Sequence, residues 1–196
     1  MNSGRDQPTV RNEALTNDKA RAMNDMIRLV EPLIPALRRY AGGLTRNPAE
    51  ADDLVQDCLE RAVSRWGQRR EDGDVRTWLF TILHNLFISR ARQTKRRGPH
   101  MPIEEACETS LVSQPSQEHR LRHNELVNAV AALPQDQKSV LLLVTVEDMS
   151  YADVAKVLAI PLGTVMSRLS RARERLRRDL SGEGAGRAQT ILRRVK

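Results

Sequence analysis

Apolar side chains recur at intervals of three and four positions between residues 51 and 66, which is the clearest helical pattern in the chain. The members of this stripe are Ala51, Leu54, Val55, Cys58, Leu59, Ala62, Val63 and Trp66. This spacing places them on one face of an α-helix. Asn47, Pro48 and Glu50 supply the start signal, because asparagine caps helices and proline suits the first helical position.

Two shorter stripes flank this helix. The earlier one consists of Val30, Leu33, Ile34 and Leu37. The two prolines within it should start or kink that helix, and the pair Gly42 and Gly43 should end it. Beyond a polar loop, Asp74 should cap a third helix. The buried side of that third helix should hold Trp78, Leu79, Ile82, Leu83 and Leu86.

The second half of the chain predicts four more helices. Two cover about residues 119–132 and 135–146, and the latter is apolar on nearly all sides and should lie at the centre of a small bundle. Ser150 and Asp153 form a capping box that starts the next helix. Its apolar face holds Tyr151, Val154, Ala155 and Leu158. Pro161 and Gly163 then interrupt the pattern.

The last helix should carry a buried stripe opposite a polar face. The stripe consists of Val165, Leu169, Ala172 and Leu176, and the polar face of Ser167, Ser170, Arg171 and Glu174. Residues 163–178 hold six arginines and one acid. A solvated surface helix is the plain alternative, but it would mix charge signs to form pairs. A polyanion would relieve the repulsion among these arginines. The last two helices are therefore interpreted as a DNA-reading helix-turn-helix.

The helical patterns predict an all-α protein, and the distribution of charge divides it into two small helical domains. No acid occurs over 75–103, whereas the 98–118 stretch has four acids, three prolines and no lysine or arginine. We therefore predict a first domain over 21–97, a flexible linker and a second domain over 119–181. The linker's 21 residues could span up to ~70 Å. Residues 1–20 should be disordered, and 182–196 form a basic tail.

The net charge of +7 and the pI of about 10.1 favour an anionic partner. No apolar run approaches the ~20 residues that a membrane span needs, and no signal peptide is evident, so we expect a cytoplasmic protein. Two cysteines are too few for a disulfide framework. No phosphate-binding loop or nucleophile motif is present. We therefore expect no enzyme activity, no catalytic residue, no cofactor and no metal.

Four segments together resemble the extracytoplasmic-function (ECF) group of bacterial RNA polymerase sigma factors. They are ADDLVQDCLERA (51–62), VRTWLFTILHN (75–85), LPQDQKSVLLL (133–143) and YADVAKVLAIPLGTVMSRLSRARERL (151–176). The sequence also resembles the general-stress-response subgroup. The resemblance implies that the first domain binds core polymerase and the minus-ten promoter element. It implies that the second domain binds the minus-thirty-five element, and that no other promoter-binding domain lies between them.

The resemblance also assigns site residues. Contact with the beta-prime subunit maps to Asp52, Asp53, Gln56 and Glu60. Without the neighbouring motifs, these residues would be interpreted as a solvated acidic face. Minus-ten contacts map to Arg76, Trp78, Asn85, Arg90, Arg92, Lys95, Arg96 and Arg97. Minus-thirty-five contacts map to Thr164, Ser167, Arg168, Ser170, Arg171, Arg175 and Arg178. A pocket for a flipped base maps to 69–74 and Asn85, whose amide can donate and accept on a base edge.

Two positions depart from the family pattern. Met166 stands where many members have lysine or arginine, and Ser89 stands where aspartate is frequent. The implied partners are core RNA polymerase through its beta-prime and beta subunits, promoter DNA and an anti-sigma factor. A stand-alone helix-turn-helix regulator is the alternative, but it leaves the acidic helix unexplained. A sigma-like decoy for an anti-sigma protein would usually carry a receiver domain, which this chain is too short to hold.

Overall fold

The computed structural model describes residues 23–69, 73–97 and 117–181, and within these ranges the chain is helical without a strand. This confirms the predicted all-α class. The first module contains α1 (23–30), the 3₁₀ turn Glu31–Leu33, α2 (Ile34–Thr45), α3 (Pro48–Arg65), the 3₁₀ turn Trp66–Gln68 and α4 (Val75–Arg97). The second module contains α5 (Gln117–Ala131), α6 (Gln135–Thr145), α7 (Tyr151–Leu158) and α8 (Leu162–Leu180).

The predicted N-terminal disorder, most of the predicted linker and the basic tail lie outside the described residues. At the linker's end the prediction was two residues too long, because α5 already begins at Gln117. At the other predicted start, Asn47 caps α3 as expected. Its side-chain oxygen accepts from the backbone N–H of Ala49 at 2.9 Å and of Glu50 at 3.3 Å. These bonds satisfy donors that the first helical turn leaves free.

α2 does not end at its glycine pair, which corrects the prediction. The helix continues to Thr45, and Arg46 then adopts a left-handed conformation with φ 64°. Gly43 serves close packing instead, since a Cβ there would lie 2.8 Å from a terminal methyl of Leu142 on α6. The lack of a side chain lets α6 approach α2. The tertiary contact outweighs the low helix propensity of glycine.

The first module packs α2, α3 and α4 around a shared core. Five members of the α3 stripe are buried as predicted. Leu59 and Trp66 are half-buried against the core, and Val63 near the helix end is 46% exposed. The Cys58 thiol is buried, and burial raises its pKa to about 12. The Tyr40 ring packs on Phe80 at 5.4 Å between centroids. The Tyr40 hydroxyl lies 3.1 Å from Nδ1 of buried His84, which joins α2 to α4.

In the second module α6 is the central helix, as predicted. Residues 138–144 are all buried, whereas Val146, beyond the helix end, is 46% exposed and was wrongly grouped with them. All four apolar residues of the α8 stripe are buried. On α7 the buried face centres on Val154 and Val157, and the pattern analysis missed Val157. The modules also touch each other, with α2 against α6 and α4 against α7.

Candidate nucleic-acid interface

The α7–turn–α8 unit has the local geometry of a helix-turn-helix. The Ser150 hydroxyl oxygen accepts from the backbone N–H of Asp153 at 3.1 Å, so the predicted cap forms. The same hydroxyl donates to the Asp153 carboxylate at 2.6 Å. α7 ends at Ala159, whose left-handed backbone has φ 51°, and α8 follows Pro161. The turn therefore holds α8 at a fixed angle on α7.

α8 offers one side to solvent while its apolar stripe is buried. Ser167, Ser170, Arg171 and Arg175 are exposed, as is Glu174. An exposed helical face of this kind fits the width of a DNA major groove, in which arginine and serine side chains can bond to base edges. The structure therefore brings together most of the residues predicted to contact the minus-thirty-five element.

Three predicted members of this set are placed differently. The guanidinium of Arg168 pairs with the Asp136 carboxylate on α6 at 3.3 Å, so it lies to the side of the exposed face. Arg178 pairs with Glu174 at 3.6 Å and stays exposed. Thr164 is half-buried in the first turn of α8, where its carbonyl accepts from the Ser167 hydroxyl at 3.1 Å.

Sequence reasoning missed a groove of about 310 Å³ that runs along one flank of α8. It is lined by Tyr151, Met166, Leu169, Ser170, Arg173 and Arg177. In Arg173, Nε and Nη2 are buried and find no hydrogen-bond acceptor among the described residues. Buried guanidinium nitrogens without an acceptor are costly, and Arg173 as a whole is only half-buried, so an anion in the groove could reach it. Positions 166, 170, 173 and 177 lie on one face of a helix, and this spacing could have revealed the groove from the sequence.

The basic residues of the first module are spread along α4. Arg92 and Arg96 are exposed, whereas the side chains of Lys95 and Arg97 lie outside the described residues. Arg90 donates to the main-chain oxygen of Asp53 at 3.2 Å and pairs with the Asp57 carboxylate on α3. Its predicted phosphate contact would require it to leave these partners or share them.

The candidate base pocket begins at an aromatic pair. The rings of Trp66 and Trp78 meet edge to face at 5.9 Å, and the Arg69 guanidinium lies 4.8 Å from the centroid of the Trp66 ring. Arg69 also donates to the Gly73 carbonyl at 3.1 Å. Trp78 is half-buried, while Asn85 is exposed two turns further along α4. Residues 70–72 lie outside the described residues.

The predicted polymerase-binding face of α3 is exposed throughout. Asp52, Asp53, Gln56 and Glu60 all face solvent. Gln56 donates to the Glu60 carboxylate at 3.1 Å. Asp52 pairs with Arg38 on α2 at 3.2 Å, and both side chains are 64% exposed. These surface contacts are weak and leave the face free to meet a protein.

No group of three metal-ligating side chains comes together within the ranges that the structure covers. None of the helices in those ranges is both long and apolar enough to cross a membrane.

The protein has two helical modules. One carries a helix-turn-helix with an exposed recognition helix, and the other carries an acidic face beside a basic helix. This is the architecture of a DNA-binding protein. Residues 30–84 match the family model described as the Sigma2 domain of PhyR, and residues 123–176 match Sigma-70, region 4. The chain is 40% identical over 152 residues to the ECF RNA polymerase sigma factor EcfG of Rhodopseudomonas palustris (strain TIE-1). The alignment covers 78% of this chain and 83% of that protein. This chain belongs to the ECF RNA polymerase sigma factor family.

Other relatives agree with this assignment. The ECF RNA polymerase sigma factor SigM of Mycobacterium tuberculosis (strain ATCC 25618 / H37Rv) is 34% identical over 151 residues, covering 72% of this chain and 70% of SigM. A solved structure of the sigma factor RpoE in complex with the anti-sigma factor NepR, from Bartonella quintana, superposes with a TM-score of 0.66. That match has 31% identity and covers 82% of this chain and 99% of RpoE.

Proposed function

We propose that this chain binds core RNA polymerase and directs transcription initiation at specific promoters. The exposed face of α3 binds the beta-prime subunit, and α4 with the Trp66–Trp78 region binds and opens the minus-ten element. The α8 face reads the minus-thirty-five element. The observation that carries this proposal is the α7–α8 unit of a sigma-family chain, whose recognition helix exposes Ser167, Ser170 and Arg171 to solvent.

Arg173 and Arg177 extend the proposed DNA contacts of the second module. They lie beside the base-reading face and near Tyr151, which begins the first helix of the helix-turn-helix. In this motif the first helix crosses the DNA backbone. A phosphate in the groove would supply the acceptors that Arg173 lacks. These two arginines would fix the register of α8 without reading sequence.

In this proposal an anti-sigma factor binds the protein and keeps it inactive. Support comes from the RpoE structure, which was solved with its anti-sigma factor bound. The similarity to EcfG and to the PhyR sigma-like domain supports a role in the general stress response. Because its partner would be the transcription machinery, we place its action in the cytoplasm.

In vitro transcription with core RNA polymerase tests the proposal. The chain should give a discrete start site on promoters recovered from cells by sequencing DNA bound to the chain and polymerase. Core enzyme alone is the control. Specific DNA binding without any polymerase-dependent transcript would instead support the stand-alone regulator and contradict the sigma activity.

A further inference from the structure

Two large apolar side chains are exposed on the first turns of α8. Leu162 is 45% exposed and Met166 is 48% exposed. Because they are four residues apart, they lie on the same flank of the helix. Neither belongs to the buried stripe that packs α8 into the second module. Isolated apolar residues are common on protein surfaces, but this pair lies on a helix whose exposed side is otherwise polar and basic.

Met166 lies within the part of α8 that meets bases in a helix-turn-helix. In this motif the N-terminal residues of the recognition helix contact base edges. Met166 follows the first turn of α8, and the exposed side chains of Ser167 and Ser170 lie beside it. At ~1.5 Å per residue, Met166 is only ~6 Å along the helix axis from Ser170. A major groove that admits this face of α8 therefore also admits the Met166 side chain.

A methionine side chain can recognise only one feature of a major-groove edge. The base edges present hydrogen-bond donors and acceptors, and the C5-methyl group of thymine is the apolar exception. The thioether of methionine is a weak acceptor and cannot donate, so it gains little from the polar groups. Its unbranched, polarizable chain adapts well to an apolar contact. Contact with a methyl group would remove apolar surface of both partners from water.

The groove beside α8 places Met166 on the side of the helix that faces a DNA backbone in the proposed complex. Met166 and Ser170 line this groove together with Arg173 and Arg177, the two proposed phosphate contacts. In a duplex, the C5-methyl group of thymine projects on the side of the base that is nearest to the backbone of its own strand. A strand whose phosphates lie along the two arginines therefore turns its thymine methyl groups towards the same row of α8.

We propose that Met166, with Leu162 as its apolar neighbour, is a specificity-determining residue that contacts the C5-methyl group of one thymine in the minus-thirty-five element. It favours an A·T pair at that position, whereas an arginine in its place would favour guanine through O6 and N7. This inference rests on the proposed reading of the minus-thirty-five element by α8. It adds an apolar contact to the hydrogen bonds expected from Ser167, Ser170 and Arg171.

Deoxyuridine tests the contact, because its base differs from thymine only in lacking the C5-methyl group. The full chain is assembled with core polymerase and bound to a duplex promoter recovered from cells. Each thymine of the minus-thirty-five element, on either strand, is replaced in turn by deoxyuridine. One replacement should weaken wild-type binding about fourfold, the effect of one methyl group removed from water. Met166→Ala should weaken binding to the thymine duplex by a similar factor and should make that replacement silent.

Two further variants separate the methyl contact from a general loss of apolar surface. Val127→Ala is the matched control, because Val127 is 46% exposed but lies on α5. It should keep the wild-type affinity and the wild-type sensitivity to deoxyuridine. Met166→Arg should change the preferred base pair at the sensitive position from A·T to G·C when duplexes randomised there are selected. Circular dichroism should show the same helix content in all variants, since the substituted side chains are exposed.

The outcomes distinguish this inference from the proposed function. Wild-type affinity that is the same for thymine and for every deoxyuridine duplex would overturn the methyl contact. Full sensitivity to deoxyuridine in Met166→Ala would also overturn it, because another side chain would then contact the methyl group. The proposed function fails in a different way, namely if the wild-type chain with core polymerase does not distinguish the recovered minus-thirty-five element from random DNA.

Discussion

Acidification should destabilise the first module through His84. This side chain is 9% exposed, and burial lowers its pKa to about 4. In the unfolded chain its pKa is about 6.5. Nδ1 can accept from the Tyr40 hydroxyl at 3.1 Å only while that nitrogen carries no proton. Protonation therefore removes a buried hydrogen bond and introduces a buried charge.

The sign and size of this effect follow from proton linkage. Between about pH 6.5 and about pH 4 the unfolded chain binds the proton and the folded chain does not, so stability falls as pH falls. The stabilising contribution is complete above about pH 6.5 and is lost progressively towards about pH 4. From about pH 7.5 to about pH 5 the two pKa values give a loss of about 2 kcal/mol.

Urea unfolding at these two pH values provides the assay. The wild-type chain should lose about 2 kcal/mol more than His84→Gln, because glutamine does not titrate and other groups titrate in both proteins. Nuclear magnetic resonance should show that the His84 ring is still predominantly neutral at about pH 5. Equal losses in the two proteins, or a His84 pKa near about 6.5, would refute the reasoning.

Four variants test the proposed interfaces. Asp53→Arg with Gln56→Ala should abolish association with core polymerase, because both side chains lie on the exposed α3 face; wild-type co-purification would exclude that role. Arg171→Ala should weaken minus-thirty-five binding by about 1–3 kcal/mol, and an equal loss on random DNA would argue against base reading. Arg173→Ala should weaken binding to all sequences and reduce the salt slope by about 1; an unchanged slope would contradict a phosphate contact. Asn85→Ala should slow the opening of duplex promoters but not of premelted ones, and the same defect on both templates would make Asn85 structural.

The helices with strong local signals could be predicted from the sequence. Asn47, Asp74 and Ser150 each cap the helix that they were expected to cap, since capping depends on residues within one turn. The α8 stripe is buried in full because its period matches the helical period. The fold class and the family resemblance followed from these local patterns.

Long-range contacts could not be predicted in this way. Gly43 looked like a helix end, but its role depends on Leu142, 99 residues later in the chain. Arg90 looked like a free basic residue, yet it pairs with Asp57 on another helix. The buried carboxylate Glu147 of the second module gave no signal, since its partners Arg39 and Arg76 in the first module lie 108 and 71 positions away. A pattern within one helix carries no information about which helix will cover it.

The separation of Arg76 and Glu147 has a consequence for the protein as it is being made. Glu147 leaves the ribosome 71 residues after Arg76, which takes roughly 4–14 s at ~5–20 residues per second. During that interval the first module can fold, because its core comes from α2, α3 and α4, but the α6 and α7 helices that pack against it do not yet exist. A newly made chain therefore passes through a period in which polymerase or an anti-sigma factor can bind the first module before the second module packs on α2 and α4.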